Sequence, residues 1–282
     1  MSLAFLITAH QQPGQLAQLL HCIQHPDCLY LVLPDRKTLS GDAPALQAVA
    51  RRHANVIIAP PRDMRWASWS LMQARLDGMA QLLARPEPWK MLINLSGQDL
   101  PLRPIEQIIA TFRGQEHCNF IDHFDPLSRW ADPYARIHRI RIEPPFSSTG
   151  INLPRLRIDR WRKELGDARY VGSRPYLVLN RAFCQHMIES PQLPAWRRAM
   201  ARTYRPDEVM IQSFIMNSPF ADSVRQQSFH DEVFDEGASH PRVLTMADRE
   251  RLARSDKLFA RKFDVGVDAE IVRQLVQQLK SG

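Results

Sequence analysis

The apolar positions of this chain fall into short runs divided by segments of helical period. Leu3 to Thr8 (LAFLIT) is a continuous apolar run of strand length, and Leu29 to Leu33, Asn55 to Ile58 and Met91 to Leu95 repeat the pattern. Such runs, bounded by turn residues, predict strands covered on both faces. Between them, Pro13 to Ile23 and Ala43 to Arg52 read as helices, and Pro13 suits an early helical position because it needs no N–H there. After Trp69, the residues Met72, Leu76, Met79 and Leu83 share one helical face. Strand and helix in alternation predict a parallel, right-handed α/β sheet.

Further along, the pattern predicts a helix over Ile105–Phe112 and a strand near Asn119–Ile121. A strand at Pro175–Leu179 and a helix at Arg181–Ile188 come next, then a helix opening with Pro206-Asp207-Glu208 and running through Met216. Pro241 to Thr245 reads as a strand entry. In the last segment Ile271, Leu275 and Leu279 share a helical face, with Asp268 as its cap. The stretch from His123 to Arg169 has neither period and is rich in Pro, Arg and aromatics, as expected of a substrate-facing insertion. With no internal repeat, low-complexity tract or clear linker, one domain is expected.

Three places carry candidate chemistry. The loop Ser96-Gly97-Gln98-Asp99, closed by Pro101, follows the fourth predicted strand. Ligands of open α/β sheets gather outside the carboxyl ends of the strands, so Gln98 and Asp99 stand where a substrate is handled. The same residues also make a plain turn, with Gly97 for geometry and Asp99 capping the next helix. Asp207 and Glu208 open a helix, where the helix dipole favours acids; a carboxylate held rigidly there also serves as a general base. Lys262 is flanked by Leu258, Phe259 and Phe263, which either fix its cation beside a core or let it extend into solvent.

Composition narrows the classes. A hydrophobic fraction of 44% with 24% charged residues is that of a folded water-soluble protein. No apolar run approaches the roughly 20 residues that span a bilayer, and SLAFLITAH is no basic-then-apolar leader, so a cytoplasmic location is expected. Cys22, Cys28, Cys118 and Cys184 show no CxxC pairing and read as buried thiols. The net charge of +7, with Arg clusters between Arg136 and Arg162, suits an anionic partner: nucleic acid, a membrane surface or a phosphate-bearing small molecule. There is no P-loop, GxGxxG, HExxH or GxSxG. The ten histidines fall at no metal-ligand spacing, and no Asp-x-Asp ends a strand to hold a cation against a nucleotide diphosphate.

Taken in order, LITAHQQPGQLAQLL, the strand-end DRKT, WASWSLMQARL, INLSGQDLPLR, YVGSRPYLVLN, PDEVMIQS and LFARKFD resemble the core-2/I-branching N-acetylglucosaminyltransferase and peptide O-xylosyltransferase family. The resemblance implies an α/β, GT-A-like (Rossmann-like) fold with a mostly parallel central sheet flanked by helices. It also implies inverting transfer of N-acetylglucosamine or xylose from a UDP-sugar to an acceptor hydroxyl, with no metal and no other cofactor. Carried over position by position, Glu208 is the catalytic base and Arg242 and Lys262 bind the donor diphosphate. Ala9, His10, Asp35 and Trp66 line the nucleoside, and Gln98, Asp99 and Asp207 lie toward the sugar or acceptor. On this resemblance the single domain divides into a nucleotide-binding half at about 1–122, an acceptor-side insertion at about 123–170 and a catalytic, diphosphate-binding half at about 171–282.

The expected partners are the UDP-sugar and a glycan, lipid-linked glycan or protein acceptor, with no nucleic acid and an open oligomeric state. Peripheral attachment at the inner face of a membrane fits the basic charge. The animal enzymes carry a membrane anchor, luminal stem and disulfides that are not evident here, so a compact, bacterial-type member is expected. The segment from Ser228 to His240 departs from the family pattern, which makes Arg242 the looser match of the basic pair. A protein of the same fold that binds nucleic acid or an anionic surface without catalysis is the competing reading; no stacked-aromatic RNA motif or helix-turn-helix signal supports it.

Overall fold

The continuous apolar runs become strands with no exposed face. In the computed structural model, which describes residues 1–36, 43–129, 140–142, 151–153, 164–238 and 240–281, every residue of β1 (Leu3–Ala9) and β2 (Leu29–Pro34) is buried. Two compact units are distinguished, neither a continuous segment: residues 1–62, 87–116 and 228–282 in the first, and 63–86 and 117–227 in the second. In the first unit β1 pairs in parallel with β2, and β2 with β3 (Val56–Ile58). On its other side β1 pairs in parallel with β4 (Met91–Ser96), Leu3 facing Met91 and Thr8 facing Ser96. The order is β4-β1-β2-β3, with helices as crossovers between the parallel strands.

Those crossovers are α1 (Pro13–Cys22) between β1 and β2, and α2 (Ala43–Arg52) between β2 and β3. α1 packs on α2 and on the helix Ala269–Ser281. Leu16, Leu19 and Leu20 of α1 are fully buried, and across the strands the rings of Phe5 and Tyr30 stack at 5.1 Å. Burying one such side chain contributes about 1.5–3 kcal/mol. Parallel strands put their carboxyl ends on one edge, so the loops after β1, β2 and β4 assemble there. A second small sheet in this unit pairs His230–Glu232 in parallel with Phe259–Arg261, which in turn runs antiparallel to Leu100–Pro101.

The second unit has the strand Asn119–Phe120, antiparallel to Val178–Asn180 and parallel to Val224–Arg225. Its helices Trp69–Leu83, Arg181–Glu189, Leu193–Met200 and Met210–Met216 bury Met79, Phe183, Trp196 and Phe214. Asn180 caps Arg181–Glu189 by accepting from the Phe183 amide at 2.7 Å.

Several expected elements differ. The strand expected at Pro175–Leu179 is confined to Val178–Asn180. Pro241–Thr245 forms no strand: Thr245 instead caps a short 3-10 turn over Met246–Asp248, and the strand pairing there belongs to His230–Glu232. The helix Leu193–Met200 was not anticipated; its Pro194 lies in the first turn, where proline is tolerated. The helix expected to run from Pro206 is broken. Pro206–Glu208 is a single 3-10 turn, Val209 leaves helical geometry, and an α-helix begins at Met210. Asp268 does cap the last helix, accepting from the amides of Glu270 and Ile271. Lys37 and most of the Arg136–Arg162 clusters lie outside the described residues. Among the described residues no helix is long and apolar enough to cross a membrane.

Candidate functional site

In the first unit the strand ends are joined by backbone bonds. The Asp35 amide donates to the Ala9 carbonyl at 2.6 Å, and the Gly97 amide to the Thr8 carbonyl at 2.9 Å. Ala9 and Asp35 are fully buried while His10 is exposed. The Gln98 loop is tied to the segment that carries Lys262. The Phe263 amide donates to the Gln98 carbonyl at 2.9 Å, and the Gln98 side-chain amide donates to the Phe263 carbonyl at 3.3 Å. Gln15 laces the two together, donating to the carbonyls of Gly97 and Phe263 and accepting from the Val265 amide. A Cβ at Gly97 would meet Ala9 Cβ at 3.5 Å, an ordinary contact, so the turn does not demand glycine.

Asp99 caps no helix. It is completely buried and accepts from the Ser96 amide at 2.7 Å and the Ser96 hydroxyl at 2.8 Å. Its carboxylate also faces Arg261 Nε at 3.2 Å and His230 Nε2 at 3.5 Å, with Glu232 3.9 Å from Arg261. Burial opposes the charge on Asp99, but Arg261, His230 and the Ser96 amide outweigh it and hold the carboxyl below the usual range. His230 is a buried strand residue stacked on Phe259.

Lys262 is half-buried beside this cluster. Loss of water, and then the neighbouring Arg261 charge, push its ammonium below the ordinary lysine value. Its carbonyl accepts from the Leu244 amide at 2.8 Å, which brings the Arg242 loop alongside. Arg242 is partly exposed and forks onto Asp248 at 2.8 and 2.5 Å. That hydrogen bonding raises the guanidinium's pKa above its usual value. Among the described residues, no group of three or more His, Cys, Asp or Glu side chains gathers to hold a metal ion.

The second unit holds Trp66, Asp207 and Glu208 in one cluster. Asp207 is buried and pairs with the equally buried Arg75 at 3.4 Å. Gln212 donates to the Asp207 carbonyl at 3.0 Å, which pins the turn from behind. Glu208 is more exposed, and its Oε1 accepts from Arg205 at 3.0 Å. The Arg205 guanidinium also lies 4.6 Å over the ring of Trp66, and the Tyr204 ring meets Trp66 edge-on. Trp66 is 52% exposed, unusual for a ring of its size.

The backbone here is strained. Ala67 (φ 59°) and Arg205 (φ 52°) both adopt the left-handed conformation, and the Arg205 amide donates to the Ala67 carbonyl at 3.0 Å. Each costs of order 1 kcal/mol for a side-chain-bearing residue, and such strain concentrates at functional sites. Tyr204, Arg205, Arg75, His230 and Arg261 had no sequence signal as site residues. Arg-Pro before two acids was the only hint, and it reads equally as a helix start.

These features define a class: an α/β protein with polar groups gathered at the carboxyl edge of a parallel sheet, and a separate cluster of acid, arginine and exposed indole. Residues 3–251 match the family model described as Core-2/I-Branching enzyme, and the chain belongs to that family. It is 27% identical over 216 residues to beta-1,3-galactosyl-O-glycosyl-glycoprotein beta-1,6-N-acetylglucosaminyltransferase 3 of Bos taurus, covering 73% of this chain and 45% of the relative. It is 25% identical over 300 aligned positions to xylosyltransferase 1 of Homo sapiens, covering 97% of this chain and 30% of the relative. The chain thus spans less than half the length of these two curated relatives. Among solved structures, a galactosyltransferase, LgtC, determined with donor and acceptor sugar analogues, aligns over 99% of this chain and 96% of its own at 12% identity, with a TM-score of 0.46.

Proposed function

We propose that this protein is an inverting glycosyltransferase that moves N-acetylglucosamine or xylose from a UDP-sugar to a hydroxyl of a glycan, lipid-linked glycan or protein, without a metal ion. The observation that carries the reading is the setting of Glu208: a partly exposed carboxylate on a rigid one-turn helix, beside an exposed indole, in a chain of this family. Its carboxylate takes the proton from the acceptor hydroxyl as the oxygen attacks the anomeric carbon. The new C–O bond forms as the bond from that carbon to the phosphate oxygen breaks, and the electron pair leaves with UDP. The proton stays on Glu208 until solvent removes it.

Arg242 and Lys262 are the groups proposed to take up the diphosphate charge, the electrostatic part elsewhere given to a cation. Lys262 suits it, because an ammonium stripped of some water gains more from a phosphate oxygen than a solvated one. Asp35, Ala9 and His10 are proposed to border the nucleoside, with Trp66 contributing its ring. Asp207, paired with Arg75, holds the turn that presents Glu208. Asp99 acts one step back from the substrate, since its oxygens are committed to Ser96, His230 and Arg261.

The test is UDP release from UDP-N-acetylglucosamine and UDP-xylose by wild type and Glu208→Gln, with and without EDTA. The variant should lose about 10²–10⁴-fold in turnover while binding UDP as before, and EDTA should leave wild-type turnover unchanged. Near-normal turnover by the variant sinks the assignment of the base. Loss on chelation that manganese restores sinks the metal-free mechanism.

A further inference from the structure

The residue with most invested in the Trp66 cluster is Arg205. Its backbone is left-handed without being glycine, its amide is bonded to a second left-handed residue, Ala67, and its guanidinium reaches several groups at once. Among them are Oε1 of Glu208 at 3.0 Å, the face of Trp66 at 4.6 Å and the Tyr204 ring at 5.4 Å. The fold does not need the Glu208 contact to build the turn. Pro206 sets its first φ, Arg75 neutralises Asp207, and Gln212 holds the Asp207 carbonyl. The backbone of Arg205 shapes the turn, its carbonyl accepting from the Glu208 amide at 3.0 Å, while its side chain, only 9% exposed, is kept from water to meet a carboxylate.

We infer that Arg205 is a positioning residue for the reaction. It grips one oxygen of Glu208, is itself locked by stacking on Trp66, and so fixes the direction from which the carboxylate takes the acceptor proton. A planar fork on a short, stacked tether restricts the carboxylate more than an ammonium does. The two arginines divide the acids accordingly: Arg75 serves the buried Asp207, and Arg205 serves the acid proposed to react. The arrangement also couples the base to the indole, so that a ligand pressing on Trp66 bears on Glu208 through the guanidinium. The inference rests on Glu208 being the base.

A double-mutant cycle tests it, with UDP release from UDP-N-acetylglucosamine and UDP-xylose as readout and UDP affinity measured by calorimetry. Arg205→Gln should lower kcat by about 10- to 100-fold, the scale of a misaimed catalytic group, with UDP affinity and the circular-dichroism spectrum within twofold and unchanged respectively. Arg205→Lys should recover part of the loss. In the Glu208→Gln background, Arg205→Gln should add nothing, because a residue acting through Glu208 has nothing left to act on. Wild-type kcat in Arg205→Gln, a further tenfold loss in the double variant, or a fall in UDP affinity that accounts for the whole effect would each overturn the inference. An active Glu208→Gln variant, or a wild type inert toward both donors, overturns instead the reading on which it stands.

Discussion

Asp99→Asn isolates the buried charge cluster, because the two side chains have nearly the same shape and differ in charge. In the wild type Asp99 has no exposed surface and receives two bonds from Ser96 at 2.7 and 2.8 Å, with Arg261 at 3.2 Å and His230 at 3.5 Å. Asparagine keeps one acceptor oxygen but turns an NH₂ toward at least one of these donors. It also takes from Arg261, whose side chain is 12% exposed, the carboxylate charge at 3.2 Å, leaving Glu232 farther off at 3.9 Å. Removing one partner of a buried ion pair costs about 3–5 kcal/mol. With an unfolding entropy of about 2.1 cal/mol/K per residue, a chain of this length should melt about 5–8 °C lower. Urea unfolding at pH 7 should show the same loss in midpoint at unchanged slope. The pH dependence fixes the cause. The folded carboxyl is held below its unfolded value, so its contribution is complete above about pH 4 and fades as pH falls through the lowered value. The gap between wild type and variant must therefore narrow as pH falls below about 4. A variant within 1 kcal/mol of wild type at pH 7, or a gap that persists in acid, would refute the argument.

Lys262→Met should weaken UDP binding by tenfold or more in calorimetry. Wild-type affinity should begin to decline at a pH below the ordinary lysine range, since burial lowers the pKa of this ammonium. The same shift has an opposite sign for stability: the folded state resists protonating Lys262, so wild type should gain on Lys262→Met as pH climbs from the lowered value toward about 10.4, read as urea midpoints at pH 7 and 10. Arg242→Ala should cost about 1–2 kcal/mol, because Asp248 is buried and keeps only Arg251 at 3.4 Å and the Thr245 amide. An unchanged melting temperature would show that the Arg242–Asp248 fork contributes nothing to the fold. In a native thiol titration only Cys22 should react quickly; Cys28, Cys118 and Cys184 are buried, and burial raises the thiol pKa of Cys28 and Cys184. Rapid reaction at two or more sites would contradict that burial.

The sheet was legible because a strand covered on both faces leaves no polar position to break its run. LAFLITA, LYLVLP and MLINLS are buried at every residue, and each was expected within one residue of its observed end. The carboxyl edge followed from the same reasoning, since parallel strands with helical crossovers leave one edge for the loops. Elsewhere period and composition misled for identifiable reasons. The apolar spacing of Met210, Phe214 and Val209 continues smoothly back to Pro206, so nothing in it marks the break at Val209, or the left-handed turn of Arg205 that opens the short helix.

The charged clusters were the hardest to foresee, and for one physical cause. A charge enters the interior only where opposite charges and hydrogen-bond donors meet it there, and those partners come from distant segments. Asp99, His230, Glu232 and Arg261 sit in three stretches of chain, each of which, taken by itself, reads as a polar loop or a solvated strand. Trp66 and Arg205 are brought together by two backbone conformations that no side-chain type announces. Of the residues carried over from the family, Asp99 and Asp207 are committed to buried partners, and the arginines that hold these acids are visible only in three dimensions. Arg205 and Arg261 are alike in this respect: each neutralises an acid that the sequence singled out, and each fixes where that acid can point. If the proposed chemistry holds, the departure of this chain from its relatives in rate or acceptor choice should be sought first in such supporting arginines, since an acid whose direction is set by one guanidinium can be re-aimed by a single substitution without altering the acid itself.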